Sequence, residues 1–255
     1  MKNILVRADD LGYSRAVNYG IFDSINNGFI NNVGVMVNMP ATKQGLNLLK
    51  NEDIDIGQHT NFSNGKPILP ADQVRSLVDD DGFFKSSKVY RKNYKDGKPD
   101  FVDLDEAVSE VDAQYHKFLE LVGRKPDYFE GHAVISNNFV KALQIVADKY
   151  DLPLLRFSFD DKPIHFKNNT KFKMYMDSMK PNYDPKKTLD EMMKQASDSV
   201  VPLMVCHPGY LDQDILNHSS LTIPRTQEVE MAMSKDVLKK IKENNIHLLK
   251  YSECN

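Results

Sequence analysis

At 255 residues, with 41% hydrophobic and 27% charged residues, the chain has a globular composition and the length of one large α/β unit or two small ones, one being the simpler expectation. A net charge of −3 excludes a field strong enough to gather nucleic acid or an anionic membrane, and Cys206 and Cys254 are too few and too far apart for a disulfide framework or a CxxC metal site. No apolar run approaches the roughly 18 residues of a membrane span and no basic-then-apolar leader opens the chain, so the expectations are a cytoplasmic location, a small, roughly neutral partner, no nucleic acid or membrane partner, and at most a homodimer.

The first stretch, Asn3 to Gly12, is an apolar strand that ends in Asp9-Asp10. Neighbouring strand side chains point to opposite faces, so the two carboxylates do different jobs unless the strand ends there and the chain turns, as Leu11-Gly12 suggests. The ordinary alternative is a helix cap or a solvated pair. Ser14 then caps a helix with Val17, Ile21, Phe22 and Ile25 on one face, stopped by Asn27-Gly28. A second strand over 32–38, a helix over 42–50 and a third strand over 54–59 complete a β-α-β-α-β pattern and hence a parallel sheet.

Residues 60–101 break this rhythm with an acidic run at Asp79-Asp80-Asp81 and a stretch rich in lysine and tyrosine, and are expected to be a long loop insertion near the site. Asp103 and Glu106 predict a capping box for a helix carrying Leu104, Val108, Val111, Phe118 and Val122. Strands are then expected at 127–132, 152–157, 172–176, 200–207 and 246–251, with helices at 138–150, 185–197 and 235–244. Seven or eight mostly parallel strands alternating with helices predict a TIM-like (β/α) barrel, as one domain over residues 1–255.

Strand candidates finish on Asp9-Asp10, His59, His132 and His207, and a parallel barrel brings such ends to one rim. Taken singly, each histidine has a hydrogen-bonded structural role as its ordinary reading; it is their coincidence at strand ends that carries weight. His116, His165, His218 and His247 fall in a helix, in polar loops and within the last strand, and read as structural or solvated. One carboxylate and two imidazoles make a facial ligand set with open positions for Zn²⁺, Mn²⁺, Co²⁺ or Fe²⁺, and less naturally Mg²⁺. A second carboxylate beside it suits a base, and His207 suits a proton donor if it is not a third imidazole ligand.

These residues resemble the YdjC-like, ChbG-type carbohydrate deacetylases nearly end to end. The resemblance runs through Ala8-Asp9-Asp10-Leu11-Gly12, Gly57-Gln58-His59-Thr60-Asn61, Gly65-Lys66-Pro67, Ser76-Leu77-Val78-Asp79, Glu110 with Gln114, Gly131-His132, Arg156, His207-Pro208-Gly209, and Arg225 with Glu228. It implies a modified TIM barrel that removes acetyl groups from N-acetylated amino sugars, with metal-bound water attacking the amide carbonyl. It makes Asp9 the general base, His207 the general acid, and Asp10, His59 and His132 the ligands of one divalent metal, Mg²⁺ or Zn²⁺ first and Mn²⁺ or Co²⁺ as alternatives. Asn61, Arg156 and Arg225 are the expected substrate-binding residues, with a structural salt bridge as the ordinary alternative for Arg156.

One segment departs from the family. It commonly carries Asp-Ser-His-Gln-His-Val-His where this chain has Glu130-Gly131-His132-Ala133-Val134-Ile135-Ser136, so only the first histidine survives and chitobiose-type specificity is not implied. Two other function classes stay open: a sugar-binding protein that keeps the barrel without chemistry, and a non-haem iron oxygenase built on the same ligand set.

Overall fold

The first strand is the axis of the sheet, and its side chains alternate between two apolar environments. In the computed structural model, which describes residues 2–157, 162–167, 169–197 and 199–254, the chain runs β1 (Lys2–Leu11), α1 (Arg15–Asn26), β2 (Asn32–Val35), α2 (Thr42–Leu48) and β3 (Asp55–Asn61). It continues through α3 (Ser87–Lys95), α4 (Leu104–Val122), β4 (Phe129–His132), α5 (Asn137–Tyr150), β5 (Ile164–Phe166) and β6 (Thr170–Tyr175). The last elements are α6 (Pro185–Gln195), β7 (Val201–Cys206), α7 (Gln213–His218), α8 (Ile223–Met233), α9 (Lys235–Glu243) and β8 (Ile246–Leu248).

Among the described residues the strands form one eight-stranded sheet in the order β4-β3-β2-β1-β7-β6-β5, with β8 pairing the start of β1. Every pairing is parallel except the β5–β6 hairpin, and the curled sheet is a TIM-like α/β barrel in which β4 and β5 do not pair. Ile4, Val6 and Ala8 of β1 pack outward against α1 and its neighbours, while Leu5 joins Tyr128, Leu203, Val205 and Tyr251 inside the curl. This period-two alternation stacks Leu5, Arg7 and Asp9 along the inner face, from an apolar base towards a charged rim.

Several expectations need correction. Residues 60–101 are not a bare loop: Phe62, Val74, Leu77, Phe84 and Tyr90 form their own apolar cluster with α4 and α5, and the lysine-rich part folds as α3 around the buried Tyr90. Segment 152–157 is no strand, contributing only a bridge from Leu154 to Phe129, because Pro153 has no N–H to give a ladder. Asp103 caps α4 as expected, but Glu106 reaches the Ser76 N–H at 2.7 Å rather than closing a capping box. The short strand β5 and helices α7 and α8 were not foreseen, since their apolar residues are too few to show a period. No helix among the described residues is long and apolar enough to cross a membrane.

Candidate active site

Period two places Asp9 on the inner face of β1 and would turn Asp10 outward. The backbone prevents this: Asp10 has φ of +74°, and the pairing of β1 with β2 slips between Ala8 and Leu11. Such a conformation costs a non-glycine residue on the order of 1–3 kcal/mol, and it is held because the chain turns there, Tyr13 N–H donating to the Asp10 carbonyl at 3.0 Å. Both carboxylates consequently face the same rim.

Asp10 Oδ1 lies 3.4 Å from His59 Nε2 and 3.4 Å from His132 Nδ1, and the two ring nitrogens are 2.8 Å apart. His59 and His132 come from the ends of β3 and β4, which pair in parallel and carry both rings on the inner face. Asp10 Oδ1 is buried without a hydrogen-bond partner, although its sister oxygen receives Arg225 Nη2 at 2.7 Å. An anionic oxygen left bare beside two imidazole nitrogens fits a divalent cation with one oxygen and two nitrogen donors.

The electrostatics agree with that division. Burial opposes the charge on Asp10, but Arg225 and the neighbouring His59 ring hold its carboxyl well below the usual range. Burial drives His132 down to about 3, so its ring is neutral and free to ligate. Burial also pulls His59 down, but Glu130, Asp9 and Asp10 outweigh it and raise the ring to about 10. His59 Nδ1 is bound tightly to Glu130 Oε1, a carboxylate on the outer ring nitrogen of the kind that fixes the tautomer of a ligating histidine.

Asp9 is held differently. Its Oδ2 accepts from Arg7 Nη2 at 2.9 Å, and the same guanidinium nitrogen lies 3.3 Å from Glu130 Oε2. Asp9, His59 and Glu130 also form a cluster of potential ligands, but Arg7 is already paired with both of its carboxylates. Asp9 Oδ1 has no partner, and burial pushes the carboxyl above its ordinary value despite Arg7. His207, one residue past β7, lines the same cavity; its Nδ1 is 3.4 Å from Ser178 Oγ, which donates to Glu228 Oε1 at 2.7 Å. The His207 N–H donates to Glu228 Oε2 at 2.6 Å, and burial lowers its ring.

The structure thus brings Asp9, Asp10, His59, His132 and His207 together, and it gives each of the expected substrate-binding residues partners within the protein. Arg225 is buried against Asp10 and also donates to the His207 carbonyl at 3.3 Å. Asn61 is buried and spent on a turn, its Oδ1 accepting from the Ser63 and Asn64 N–H groups, which brings the Asn64 amide to 3.2 Å from His132 Nε2. Arg156 is exposed, donates to Gln144 and lines an adjoining cavity instead of the one over the carboxylates. Arg7, Glu130 and Ser178 were not foreseen as part of the site. Arg7 and Glu130 each lie two residues before a site residue on the same strand, and that shared face was the available signal.

A family model described as YdjC-like protein matches residues 3–243. The chain belongs to this family. Among YdjC-like relatives, a protein of Listeria innocua named carbohydrate deacetylase 2 is 30% identical, with 98% of each chain covered. One of Clostridium beijerinckii, named carbohydrate deacetylase, is 29% identical over 98% of this chain and 99% of its own. A crystal structure from Enterococcus faecalis, described as a candidate cellobiose-phosphate cleavage protein, superposes with a TM-score of 0.80 at 27% identity, covering 98% of this chain and 97% of its own. A family 4 acetyl xylan esterase from Clostridium thermocellum, in complex with a cobalt ion, matches at a TM-score of 0.53 and 11% identity, over 99% of this chain and 89% of its own. That last likeness is one of fold.

Proposed function

We propose that this chain is a metal-dependent hydrolase that removes acetyl groups from N-acetylated amino sugars or oligosaccharides, and that residues 1–255 act as one domain. The observation that carries this reading is the buried, unpartnered Asp10 Oδ1 beside two imidazoles, with a second unpartnered carboxylate oxygen, Asp9 Oδ1, on the preceding residue. The names of the YdjC-like relatives support the carbohydrate amide as substrate.

In this reading Asp10, His59 and His132 hold one divalent ion, Mg²⁺ or Zn²⁺ first and Mn²⁺ or Co²⁺ as alternatives. When bound, such an ion supplies Lewis acidity, making water more acidic and a carbonyl carbon more electrophilic. Arg225 fixes the Asp10 carboxylate so that its free oxygen stays on the two histidines. Glu130 holds the His59 ring in the orientation that presents Nε2.

Asp9 takes a proton from the attacking water. Its raised pKa makes it a better base than an ordinary carboxylate, and Arg7 occupies the oxygen that is not needed. His207 delivers a proton to the departing nitrogen, with Ser178 and Glu228 steadying the ring from behind. The products are acetate and a free amine.

The test is release of both products from a panel of N-acetylated mono- and oligosaccharides, with Zn²⁺, Mn²⁺, Co²⁺ and Mg²⁺ supplied separately. Turnover that requires added metal and disappears in Asp10→Asn is the expected result. Absence of amine from every substrate with every metal would sink the proposal.

A further inference from the structure

The cavity above Asp9, His59, His132 and His207 measures about 340 Å³. Its floor is polar and its wall is not. Val134 and Ile135, from the segment after β4, and Phe139, Val140 and Leu143, from the first half of α5, stand together along it, and Met179 also borders it. Among the described lining residues outside the floor, Arg91 is the one charged side chain, and it already donates to Ser87 Oγ at 2.9 Å.

This wall is built rather than incidental. Ser136 caps α5, and Asp100 fixes the cap by accepting from Ser136 Oγ at 2.8 Å and from the Asn138 N–H at 3.0 Å. Phe139 and Leu143 press on Gly131 so closely that a Cβ there would meet them at 2.5 and 2.8 Å, which sets the wall directly beside His132. At the mouth, Val140 and Met179 remain 57% and 64% exposed, apolar surface that a ligand would cover.

An acetyl methyl fills a small part of such a space. Sugar hydroxyls pressed on the same wall would give up water and find no acceptor or donor in return. We propose that the wall receives the acyl side of the amide, and that the site removes unbranched aliphatic acyl groups longer than acetyl in addition to acetyl itself, and removes the longer ones faster. The inference rests on the hydrolase reading above and extends its substrate range. Water adds its oxygen to the acyl carbon, the C–N bond breaks, and both water protons end on the leaving nitrogen, giving a fatty carboxylate and an ammonium group.

The experiment compares N-acetyl-, N-butanoyl- and N-hexanoyl-glucosamine with the metal-loaded protein, following the released amine common to all three. The expected result is a kcat/KM that rises about fourfold per added methylene, the transfer value of a buried CH₂ expressed as a rate ratio. Val140→Asp, which puts a charge in the wall, is expected to flatten that rise; Met179→Asp does the same test at the mouth if the first variant fails to fold. In parallel, calorimetry on metal-loaded Asp9→Asn compares hexanoate with acetate, and tighter hexanoate is expected. Acetyl as the best substrate with no preference for hexanoate overturns this inference and leaves the deacetylase reading standing. No amine from any substrate, with hexanoate still bound more tightly, overturns the hydrolase reading and keeps the apolar acyl site. Neither turnover nor a binding preference overturns both.

Discussion

Asp9 and Asp10 are adjacent on one strand, yet they face the same rim because Asp10 adopts φ of +74° and its Oδ1 reaches within 3.4 Å of both His59 and His132. Their partners differ: Arg7 holds Asp9 and Arg225 holds Asp10. That difference separates a base from a ligand within two consecutive residues.

The two carboxylates are accordingly expected to fail differently. Asp9→Asn should retain metal and lose turnover by on the order of 10²–10⁴-fold, the loss typical of a general base. Asp10→Asn should lose the metal itself. Elemental analysis beside amine release decides, and equal metal loss in both variants would refute the division of labour.

Glu130 is buried and holds His59 from behind. Glu130→Gln is expected to weaken metal affinity by about 10- to 100-fold, as is common when a carboxylate partner of a ligating histidine is removed. Titration with a competing chelator measures it, and a Glu130→Asp variant should recover part of the loss if orientation is the cause.

Metal loading should release a proton. In the metal-free protein His59 is raised to about 10 and is protonated at pH 7, whereas His132, lowered to about 3, is already neutral. Between pH 7 and the His59 value each bound ion displaces about one proton, so apparent affinity should rise roughly tenfold per pH unit and level off above that value. Calorimetry in buffers of different ionisation enthalpy counts the protons; a count near zero at pH 7 would show His59 to be neutral before loading.

Arg7 is fully buried between Asp9 and Glu130. Arg7→Met should destabilise the fold by about 3–5 kcal/mol, because it removes from an apolar interior the guanidinium that two carboxylates share. Urea unfolding reads the change. A variant that also carries Glu130→Gln should recover stability, since one of the uncompensated charges is then gone.

Close packing around Asp9 offers a further variant. A Cβ on Gly34 would come within 2.8 Å of Asp9 Oδ1 and 3.3 Å of His59 Cβ. Gly34→Ala is therefore expected to cost about 1–3 kcal/mol through overpacking and to lower kcat by displacing Asp9. Thermal unfolding and single-turnover rates with bound metal separate the two effects.

Much of this was legible in the sequence because it is local. Apolar runs and their flanking turns placed β1, β3, β4 and β7, and an alternation of period two put Arg7 with Asp9 and Glu130 with His132 on common faces. The titratable strand ends that meet at the rim were likewise visible, since a parallel sheet delivers every such end to one side. What the sequence could not decide is what depends on contacts across the chain. Leu11-Gly12 suggests a turn beside Asp9-Asp10, but that both carboxylates then face one rim is decided by the left-handed backbone of Asp10 and the slipped register with β2. That Arg225 pairs with Asp10, 215 positions earlier, appears only once α8 folds back on the first strand. Glu130 reads as one more strand residue until β3 lies alongside β4 and gives it His59. The chemical groups and their faces follow from backbone periodicity, whereas the pairing of buried charges is set by which distant elements share the same low-dielectric space.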